Sequence, residues 1–319
     1  MSSLERELRE RGYQVEVVRL PFSWGKAHLL PQVLAWRLLR VEADLVIGTM
    51  FPSYFVKHDR KVIWLFHQHR QLYELYGRPF SDFGHDPQDA EIREIITRAD
   101  RRSIGEARRV FTTSRTVAQR LERNNGIVAE PLYHPPPLAR SLACREYGDF
   151  VLLPTRFEAH KRPELLIEAL RVSRSKLKGV IVGSGPLESD LHRRVSEYGL
   201  EDRIHFAGFV DNRTLVDLYA RCRAVMYVPY DEDYGYVTLE AFSARKPVIT
   251  APDSGGVLEF VTDEATGLVA DGTPDALARA IDRLADSVEL CRRLGEAGHA
   301  RISGISWDHV IERLLGEHA

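Results

Sequence analysis

The chain has 319 residues, of which 44% are hydrophobic and 28% charged, a composition that predicts about two globular domains with real cores. Its three cysteines, Cys144, Cys222 and Cys291, are too few and too widely spaced for a disulfide framework or a zinc site, which favours a reducing, cytoplasmic compartment. The start "MSSLERELRERG" is charged and no apolar run approaches the length of a membrane span, so we expect neither a signal peptide nor a transmembrane helix.

The net charge of −2 is unevenly divided along the chain. Residues 1–148 hold 23 Lys and Arg against 18 Asp and Glu, whereas the remainder holds 21 against 28. A basic first half suits an anionic partner, such as a phosphorylated molecule or an anionic membrane face. The alternative is that most of these charges only solvate helix faces.

Strand-like and helix-like patterns alternate from the start of the chain to its end. A predicted opening helix, "SSLERELRERG", is followed by amphipathic stretches such as "RPELLIEALRVS", "LESDLHRRVSEYG" and "NRTLVDLYARC". This alternation predicts βαβ units, hence an α/β fold with parallel sheets. The predicted strands are "YQVEVVRL", "ADLVIGTM", "KVIWLFH" and "RVFTTS" in the first half, then "FVLLPT", "KGVIVGSG", "RIHFAGFV", "AVMYVPY", "KPVITA" and "GLVAD".

A Pro-rich segment without periodicity, residues 130–149, is typical of a linker between two domains, predicted as 1–148 and 149–304. The first domain begins with a helix, although a Rossmann-type half normally opens with a strand and a glycine-rich turn. Either the fold has a different edge or the chain starts late, and we expect the second.

The stretch "DEDYGYVTLEAFSARKPVIT" places Glu232 and Glu240 on either side of Gly235. The glycine permits a tight turn, and the amides at the start of the following helix would suit a diphosphate. Glu240, about one turn into that helix, is placed to accept two hydrogen bonds from a vicinal diol such as that of a ribose. The alternative is that one acid complements the helix start and the other is solvated.

Two cations, Arg156 and Lys161, follow the predicted strand "FVLLPT". Ligands of open α/β sheets bind at the carboxyl ends of the strands, so these side chains are candidates to neutralise a leaving diphosphate without a metal. A solvated basic loop is the alternative.

Paired glycines follow two other predicted strands, where backbone can approach a ligand closely. As a lone pattern each pair is weak evidence, because many strand–helix turns look alike. The pairs are Gly183 with Gly185 in "VIVGSGPLESDL", and Gly255 with Gly256 in "APDSGGVLEFV".

Taken in order, these blocks resemble the C-terminal domain of a GT-B-fold retaining glycosyltransferase of family 4 (glycosyl transferases group 1), over residues 150–319. The resemblance rests on the E-x7-E pair, the Arg–Lys pair, "GSGPLESDL", "IHFAGFV" and "GGVLEFV…TGLVAD". The first half of the chain resembles this family less closely, through "ERGYQVEVV", "ADLVIGTM", "HQHRQLYEL" and "VFTTSRTVAQRL". Residues 305–319, with "ISWDHVIERLL", resemble the helix that crosses back onto the first domain.

The resemblance implies two Rossmann-like domains whose parallel sheets face each other across a cleft, the first domain lacking its N-terminal strand. It implies a metal-independent hexosyltransferase, without a cofactor, that moves a sugar from a UDP- or GDP-sugar to a glycan, a lipid-linked or a small-molecule acceptor. It implies no nucleic-acid partner, and it leaves the oligomeric state and a peripheral position at the inner membrane face open.

The same resemblance implies roles for the acids and the turn between them. Glu240 would hold the donor ribose, and Glu232 would contact hydroxyls of the donor sugar, helped by the backbone amides of Tyr234, Gly235 and Tyr236.

The same resemblance implies roles for the two cations and bears on whether the site needs a metal ion. Arg156 and Lys161 would bind the diphosphate and stabilise the charge that builds on it. "DED" at 231–233 offers a D-x-D metal motif, but Glu232 already has a role in the longer motif, so we expect no metal.

The first domain should supply the acceptor side and one histidine near the donor sugar. His67 and His69 in "WLFHQHRQLY" follow a predicted strand, and we favour His67 over His69, with a structural role as the alternative. Arg70, Tyr73 and Arg78 are candidates to line an anionic acceptor pocket or to be merely solvated.

Two other functions remain open at this point. One is a non-catalytic nucleotide-sugar-binding or partner subunit of a glycosyltransferase complex, and the other is a GT-B relative such as a phosphorylase or an epimerase.

Overall fold

The computed structural model describes residues 3–23 and 25–316, which form an α/β fold. The strands are β1 (Val46–Met50), β2 (Lys61–His67), β3 (Arg109–Thr112), β4 (Glu130–Pro131), β5 (Phe150–Pro154), β6 (Lys178–Val182), β7 (Ile204–Gly208), β8 (Ala224–Met226), β9 (Val248–Thr250) and β10 (Gly267–Val269). The helices are α1 (Ser3–Glu10), α2 (Leu29–Leu38), α3 (Pro87–Gly105), α4 (Arg115–Asn125), α5 (Glu164–Val172), α6 (Glu188–Glu197), α7 (Asn212–Arg221), α8 (Tyr236–Ser243), α9 (Pro274–Asp286), α10 (Val288–Ile302) and α11 (Trp307–Leu315).

The sequence itself marks several helix ends. Asp86 caps α3 by accepting from the amide of Gln88 at 2.8 Å, and Pro87 occupies the first helical position, where its missing N–H is no loss. Ser306 caps α11 through the amide of His309 at 3.3 Å. Helix α4 ends at Gly126, whose φ of 68° is the left-handed conformation that glycine adopts most easily.

The chain divides into two units, one of residues up to His134 together with those from Ile305 onward, the other Pro135–Gly304. The predicted boundary at 148/149 thus lies fourteen residues after the observed division, which falls inside the predicted linker.

The first unit is built on a parallel sheet in the order β1-β2-β3-β4. Successive side chains of β2 enter two different core clusters, as the period of two in a strand requires. One face carries Val62 and Trp64 against Trp307, Val310 and Leu314 of α11, and the other carries Ile63 and Leu65 against Ile96, Ile104, Val117 and Leu121.

The second unit is built on a parallel sheet in the order β10-β9-β8-β5-β6-β7. The chain runs outward from β5 through β6 to β7, then returns to the other side of β5 and runs through β8 and β9 to β10. The direction of winding therefore reverses between β5 and β8, which pair at Val151 with Ala224. Such a reversal is where ligands bind in open α/β sheets.

Two sequence predictions are wrong at the level of elements. "YQVEVVRL" is not a strand: Tyr13 and Val15 pack beside Leu8 of α1 and the α11 side chains Ile311 and Leu315, with no ladder partner among the described residues. The start of the predicted linker is strand β4, which pairs with Phe111 and Thr112 of β3. The described residues before Val46 contain no strand.

Candidate functional site

A buried ion pair lies at the reversal point of the second sheet. Lys161, from the loop after β5, donates through Nζ to Oε2 of Glu232, from the loop after β8. Both residues are only 8% exposed. The hydroxyl of Tyr227 donates to the same carboxylate oxygen at 2.7 Å, so three polar groups from two neighbouring loops converge.

The loop that carries Glu232 rests on the predicted glycine pair after β9. The amide of Glu232 donates to the carbonyl of Ser254 at 3.3 Å, and the carbonyl of Glu232 accepts from the amide of Gly256 at 2.8 Å. A Cβ on Gly255 would lie 2.5 Å from the Glu232 carbonyl oxygen, and one on Gly256 would lie 2.4 Å from that of Asp233. The two glycines therefore let the loops after β8 and β9 pack backbone to backbone, which fixes the position of Glu232.

Arg162, which sequence reasoning did not single out, ties the three loops together. Its guanidinium donates to the carbonyls of Val228 at 2.6 Å and Pro229 at 3.0 Å, and it forms a bidentate pair with Asp253 at 2.7 and 2.9 Å. Bidentate arginine–carboxylate pairs hold orientation as well as charge. Arg162 thus holds the loop that contains its neighbour Lys161 in place. No sequence spacing distinguishes Arg162 from the other basic residues of this loop.

Gly235 makes the turn into α8 as predicted, with a φ of 77° in the left-handed region. The first turn of α8 follows directly, and its N–H groups lie at the carboxyl edge of the sheet, where a helix start favours anions. Tyr234, just before the turn, is buried with its ring 5.7 Å from Phe260 and 5.5 Å from Tyr236. These aromatic contacts set the entry of the chain into α8.

Glu240 lies in α8 and accepts a hydrogen bond from the hydroxyl of Tyr219 at 2.8 Å. Burial raises the pKa of its carboxyl group to about 7, and the Tyr219 hydrogen bond only partly opposes this rise. The carboxyl group of Glu240 therefore gains or loses its proton near neutral pH. No motif in the sequence singles out Tyr219, which lies 21 residues earlier on α7.

Arg156 is not part of the buried cluster. Its side chain is 67% exposed and donates to Glu158 at 2.8 Å, and the described residues show no contact of its guanidinium with Lys161 or Glu232. It lies on the same loop after β5 as Lys161.

Close packing between two loops of the chain explains why glycine stands at positions 183 and 185. A Cβ on Gly183 would lie 1.9 Å from the carbonyl oxygen of Thr155, and one on Gly185 would lie 2.7 Å from that of Phe157. The loops after β5 and β6 pack this closely because both glycines lack side chains. Contact of these glycines with a nucleotide stays a prediction.

The two histidines of the first unit differ in their surroundings. His67 ends β2 and is half-buried, and its Nδ1 donates to the carbonyl of Gln68 at 2.8 Å. Its Nε2 has no hydrogen-bond partner within residues 3–23 and 25–316. His69 is buried, with its ring 5.1 Å from Phe51 and 5.6 Å from Phe83, and burial lowers its pKa to about 4. His69 therefore has the surroundings of a core residue.

Tyr73 does not line a pocket as we expected. It is buried, and its hydroxyl donates at 2.7 Å to Asp100, a fully buried carboxyl group that also accepts from Tyr54 and Gln68. This network fixes the interior of the first unit.

Within residues 3–23 and 25–316, no group of three or more His, Cys, Asp or Glu side chains is arranged to hold a metal ion. Across the same residues, none of the helices combines the length and the apolarity that crossing a membrane requires.

Comparisons with known proteins point to one family. The family described as glycosyl transferases group 1 matches residues 139–301, just over half of the chain. D-inositol 3-phosphate glycosyltransferase of Nocardia farcinica is 29% identical over 259 residues, 73% of this chain and 56% of that protein. Alpha-D-kanosaminyltransferase of Streptomyces kanamyceticus is 31% identical, over 56% of this chain and 48% of that protein. The chain spans about half the length of these curated relatives.

Solved structures share the fold. S. aureus TarM, in complex with fondaparinux, alpha-GlcNAc-glycerol and UDP, superposes with a TM-score of 0.67 at 18% identity, covering 84% of this chain and 54% of that one. Anabaena HepE, in complex with UDP and glucose, has a TM-score of 0.60 at 17% identity, covering 84% of this chain and 97% of that one. The predicted α/β class and GT-B fold are confirmed. The residues that match the family include the loops after β5, β6, β8 and β9 described above. The chain therefore belongs to the glycosyl transferases group 1 family.

Proposed function

We propose that this glycosyltransferase is a retaining enzyme that moves a hexosyl group from a UDP- or GDP-sugar to a glycan, a lipid-linked or a small-molecule acceptor. The observation that carries the proposal is the buried Lys161–Glu232 pair at the reversal point of the second sheet, beside the first turn of α8. A cation, a carboxylate and the amides of a helix start are the groups that a diphosphate-linked sugar requires.

Lys161 and the α8 amides are the proposed stabilisers of the leaving diphosphate. Negative charge builds on the diphosphate as the sugar leaves, and preorganised donors in a site with little water stabilise such charge strongly. Arg156 would join them by exchanging Glu158 for a phosphate oxygen. These cations meet the developing charge without a metal ion, so we expect activity to persist in a chelator.

The two acids divide the remaining contacts. Glu240 would accept hydrogen bonds from the ribose hydroxyls, and Glu232 would accept from hydroxyls of the donor sugar. Lys161 and Tyr227 donate to one oxygen of Glu232 and the amide of Asp233 to the other, and we propose that this anchored carboxylate orients the sugar and is not the nucleophile. We propose that the acceptor attacks from the face that the diphosphate leaves and that the departing phosphate takes its proton, which retains the anomeric configuration.

Some parts of the proposal rest on the family alone. His67, at the carboxyl end of β2, is the proposed catalytic histidine. The glycines at 183 and 185 and the amides of Tyr234, Gly235 and Tyr236 are proposed nucleotide-sugar contacts. Location in the cytoplasm, including the inner membrane face, and the absence of a cofactor are likewise proposed.

The first experiment is calorimetric titration of the protein with UDP-, GDP- and ADP-sugars, with Glu240→Ala as the comparison variant. We expect one donor to bind and the substitution to abolish its binding. A donor that binds Glu240→Ala as tightly as the original protein would contradict the placement of the site.

The second experiment measures transfer from that donor to glycan and lipid acceptors, with and without EDTA. We expect a product with the donor's anomeric configuration, unchanged by EDTA, and a loss of kcat of about 100-fold or more in Lys161→Met. Lys176→Met, which removes an exposed lysine from the same unit, is the matched control. An inverted product would refute retention, and donor binding without any release of nucleoside diphosphate would favour the non-catalytic binding subunit.

A further inference from the structure

A cavity of about 620 Å³ lies at the amino-terminal edge of the first sheet. Arg60 and Arg108 immediately precede β2 and β3, and Leu45 precedes β1, whereas Glu312 and Arg313 belong to the last turns of α11. The lining among the described residues consists of Leu45, Arg60, Val62, Arg108, Arg109, Glu312, Arg313 and Gly316. His67 lies at the opposite end of β2, about 20 Å away for a seven-residue strand.

The lining is strongly basic. Four guanidinium groups face one carboxylate, that of Glu312, among these residues. The Glu130 carboxylate pairs with Arg313 from outside the lining, and it does not compensate the other three arginines. Like charges gathered around one cavity repel each other, so an anion would stabilise this arrangement.

Two of the four arginines have structural partners. Arg109 donates to the carbonyls of Arg313 at 2.9 Å and Leu314 at 3.0 Å, which satisfies the end of α11. The Arg109 guanidinium packs directly against Gly316, where a Cβ would lie 2.4 Å from its Nη1. Arg313 lies 5.4 Å from the ring centre of Phe111 in addition to its pair with Glu130.

The other two arginines retain unused donors. Nε of Arg108 donates to the carbonyl of Asp59 at 2.8 Å, which leaves both terminal amino groups without a partner among the described residues. The Arg60 guanidinium has no hydrogen-bond acceptor in the described part of the chain, and its Nε is buried. Nε of Arg313 is likewise buried without a hydrogen-bond partner in the described part of the chain. Buried donors left unsatisfied cost stability, so Arg60, whose guanidinium makes no other hydrogen bond there, is the residue of this cavity that most requires a ligand.

We propose that this arginine-lined cavity binds a small phosphate-bearing anion at a site separate from the donor site. Guanidinium forks match phosphate oxygens two at a time, and the cavity volume is that of sites for molecules larger than orthophosphate. A nucleotide and a sugar phosphate share this chemistry and this size. The site goes beyond the proposed transfer reaction, because it lies at the opposite end of the strands from the edge where the family binds its substrates.

The test titrates the protein by calorimetry with inorganic pyrophosphate, uridine monophosphate and glucose 6-phosphate. Arg60→Gln/Arg108→Gln removes the unused donors, and Arg98→Gln/Arg102→Gln removes the same charge from the exposed face of α3 in the same unit. Lys161→Met removes the main cation of the donor site.

We expect the cavity variant to weaken the Kd of at least one probe about tenfold or more, since each charge-assisted hydrogen bond contributes that order. The α3 variant should leave the Kd unchanged, and Lys161→Met should retain this binding. Preference for uridine monophosphate over glucose 6-phosphate identifies a nucleotide site, and the reverse identifies a sugar-phosphate site.

Equal weakening in both double variants would overturn the proposal, because it would show long-range charge rather than a site. Complete loss of binding in Lys161→Met would also overturn it, since all binding would then belong to the donor site. If circular dichroism shows that the double variant does not fold, Arg60→Gln alone carries the test, because this guanidinium makes no hydrogen bond within the described residues.

Discussion

At the scale of single residues, Glu240 combines a buried carboxyl group with the proposed role in donor binding. Its carboxyl group is held in α8 where burial raises the pKa to about 7, and Tyr219 donates to it. A raised carboxyl pKa means that the folded protein favours the protonated acid. This group therefore stabilises the fold fully below its unfolded pKa of about 4.5, and the contribution is lost as the pH rises to about 7.

The same titration predicts the pH dependence of donor binding. In its proposed role, an ionised Glu240 would accept hydrogen bonds from two ribose hydroxyls, whereas the protonated acid would accept them poorly. We expect the affinity for the preferred nucleotide-sugar to rise between about pH 6 and pH 8, approaching tenfold per pH unit below the pKa. Calorimetry across this range measures it.

The control for this prediction is Glu240→Gln, whose amide does not titrate. Each phosphate of a nucleotide-sugar has one ester bond and one anhydride bond, so its single acidic oxygen stays ionised throughout this range and the diphosphate contributes no titration of its own. An affinity that rises equally with pH in the original protein and in Glu240→Gln would show that another group is responsible.

At the scale of elements, the site is built from loops that touch each other's backbones. The loops after β5 and β6 meet at Gly183 and Thr155, and the loops after β8 and β9 meet at Glu232 and Gly255. Such contacts tolerate no Cβ, because the nearest atoms are main-chain carbonyls that cannot move aside independently.

We expect Gly183→Ala to lower the free energy of unfolding by about 3 kcal/mol or more. Its φ of 136° is nearly exclusive to glycine, and the new Cβ would lie 1.9 Å from the Thr155 carbonyl oxygen. Gly199→Ala is the matched control: its φ of 63° is also positive, but a Cβ there meets nothing within 4 Å, so it should cost about 1–2 kcal/mol. Urea denaturation measures both, and equal losses would contradict a role for the loop contact.

The sequence predicted nearly all strands after residue 45 because parallel strands buried on both faces are continuous apolar runs, as in β2 and β5. It misplaced a strand at 13–20 because alternating side chains indicate an extended, half-buried segment and do not say whether a ladder partner exists. It missed β4 because two residues within a Pro-rich stretch have no recognisable period.

At the scale of the whole molecule, the sequence predicts the candidate site only in part, because sequence patterns do not reveal tertiary partners. The ordered blocks predicted Lys161 and Glu232, which the structure brings together, because their positions follow strand ends. They could not predict Tyr227, Tyr219 or Arg162, whose roles depend on partners chosen by the tertiary fold. Arg162 and Asp253 are 91 residues apart, and neither is unusual in its own loop.

The first unit is assembled from two segments that are far apart in sequence. Helix α11 supplies Leu314, which is fully buried, to the cluster that contains Val62, Trp64 and Phe111 of the central strands. Truncating a buried leucine removes transfer free energy and leaves a cavity, so Leu314→Ala should cost about 2–5 kcal/mol. Because elements of a protein open in cooperative groups, we expect this loss to appear in some amides and not in others.

Native-state hydrogen exchange measures that distribution. Leu314→Ala should accelerate exchange in β2 and β3, although these strands precede it by about 200 residues or more, and should leave β5 and β6 unchanged. Leu284→Ala, which truncates a fully buried leucine in the core of the second unit, should produce the reverse pattern. If either variant accelerated exchange equally in all four strands, the two units would open as one, and α11 could not be treated as part of the first unit alone.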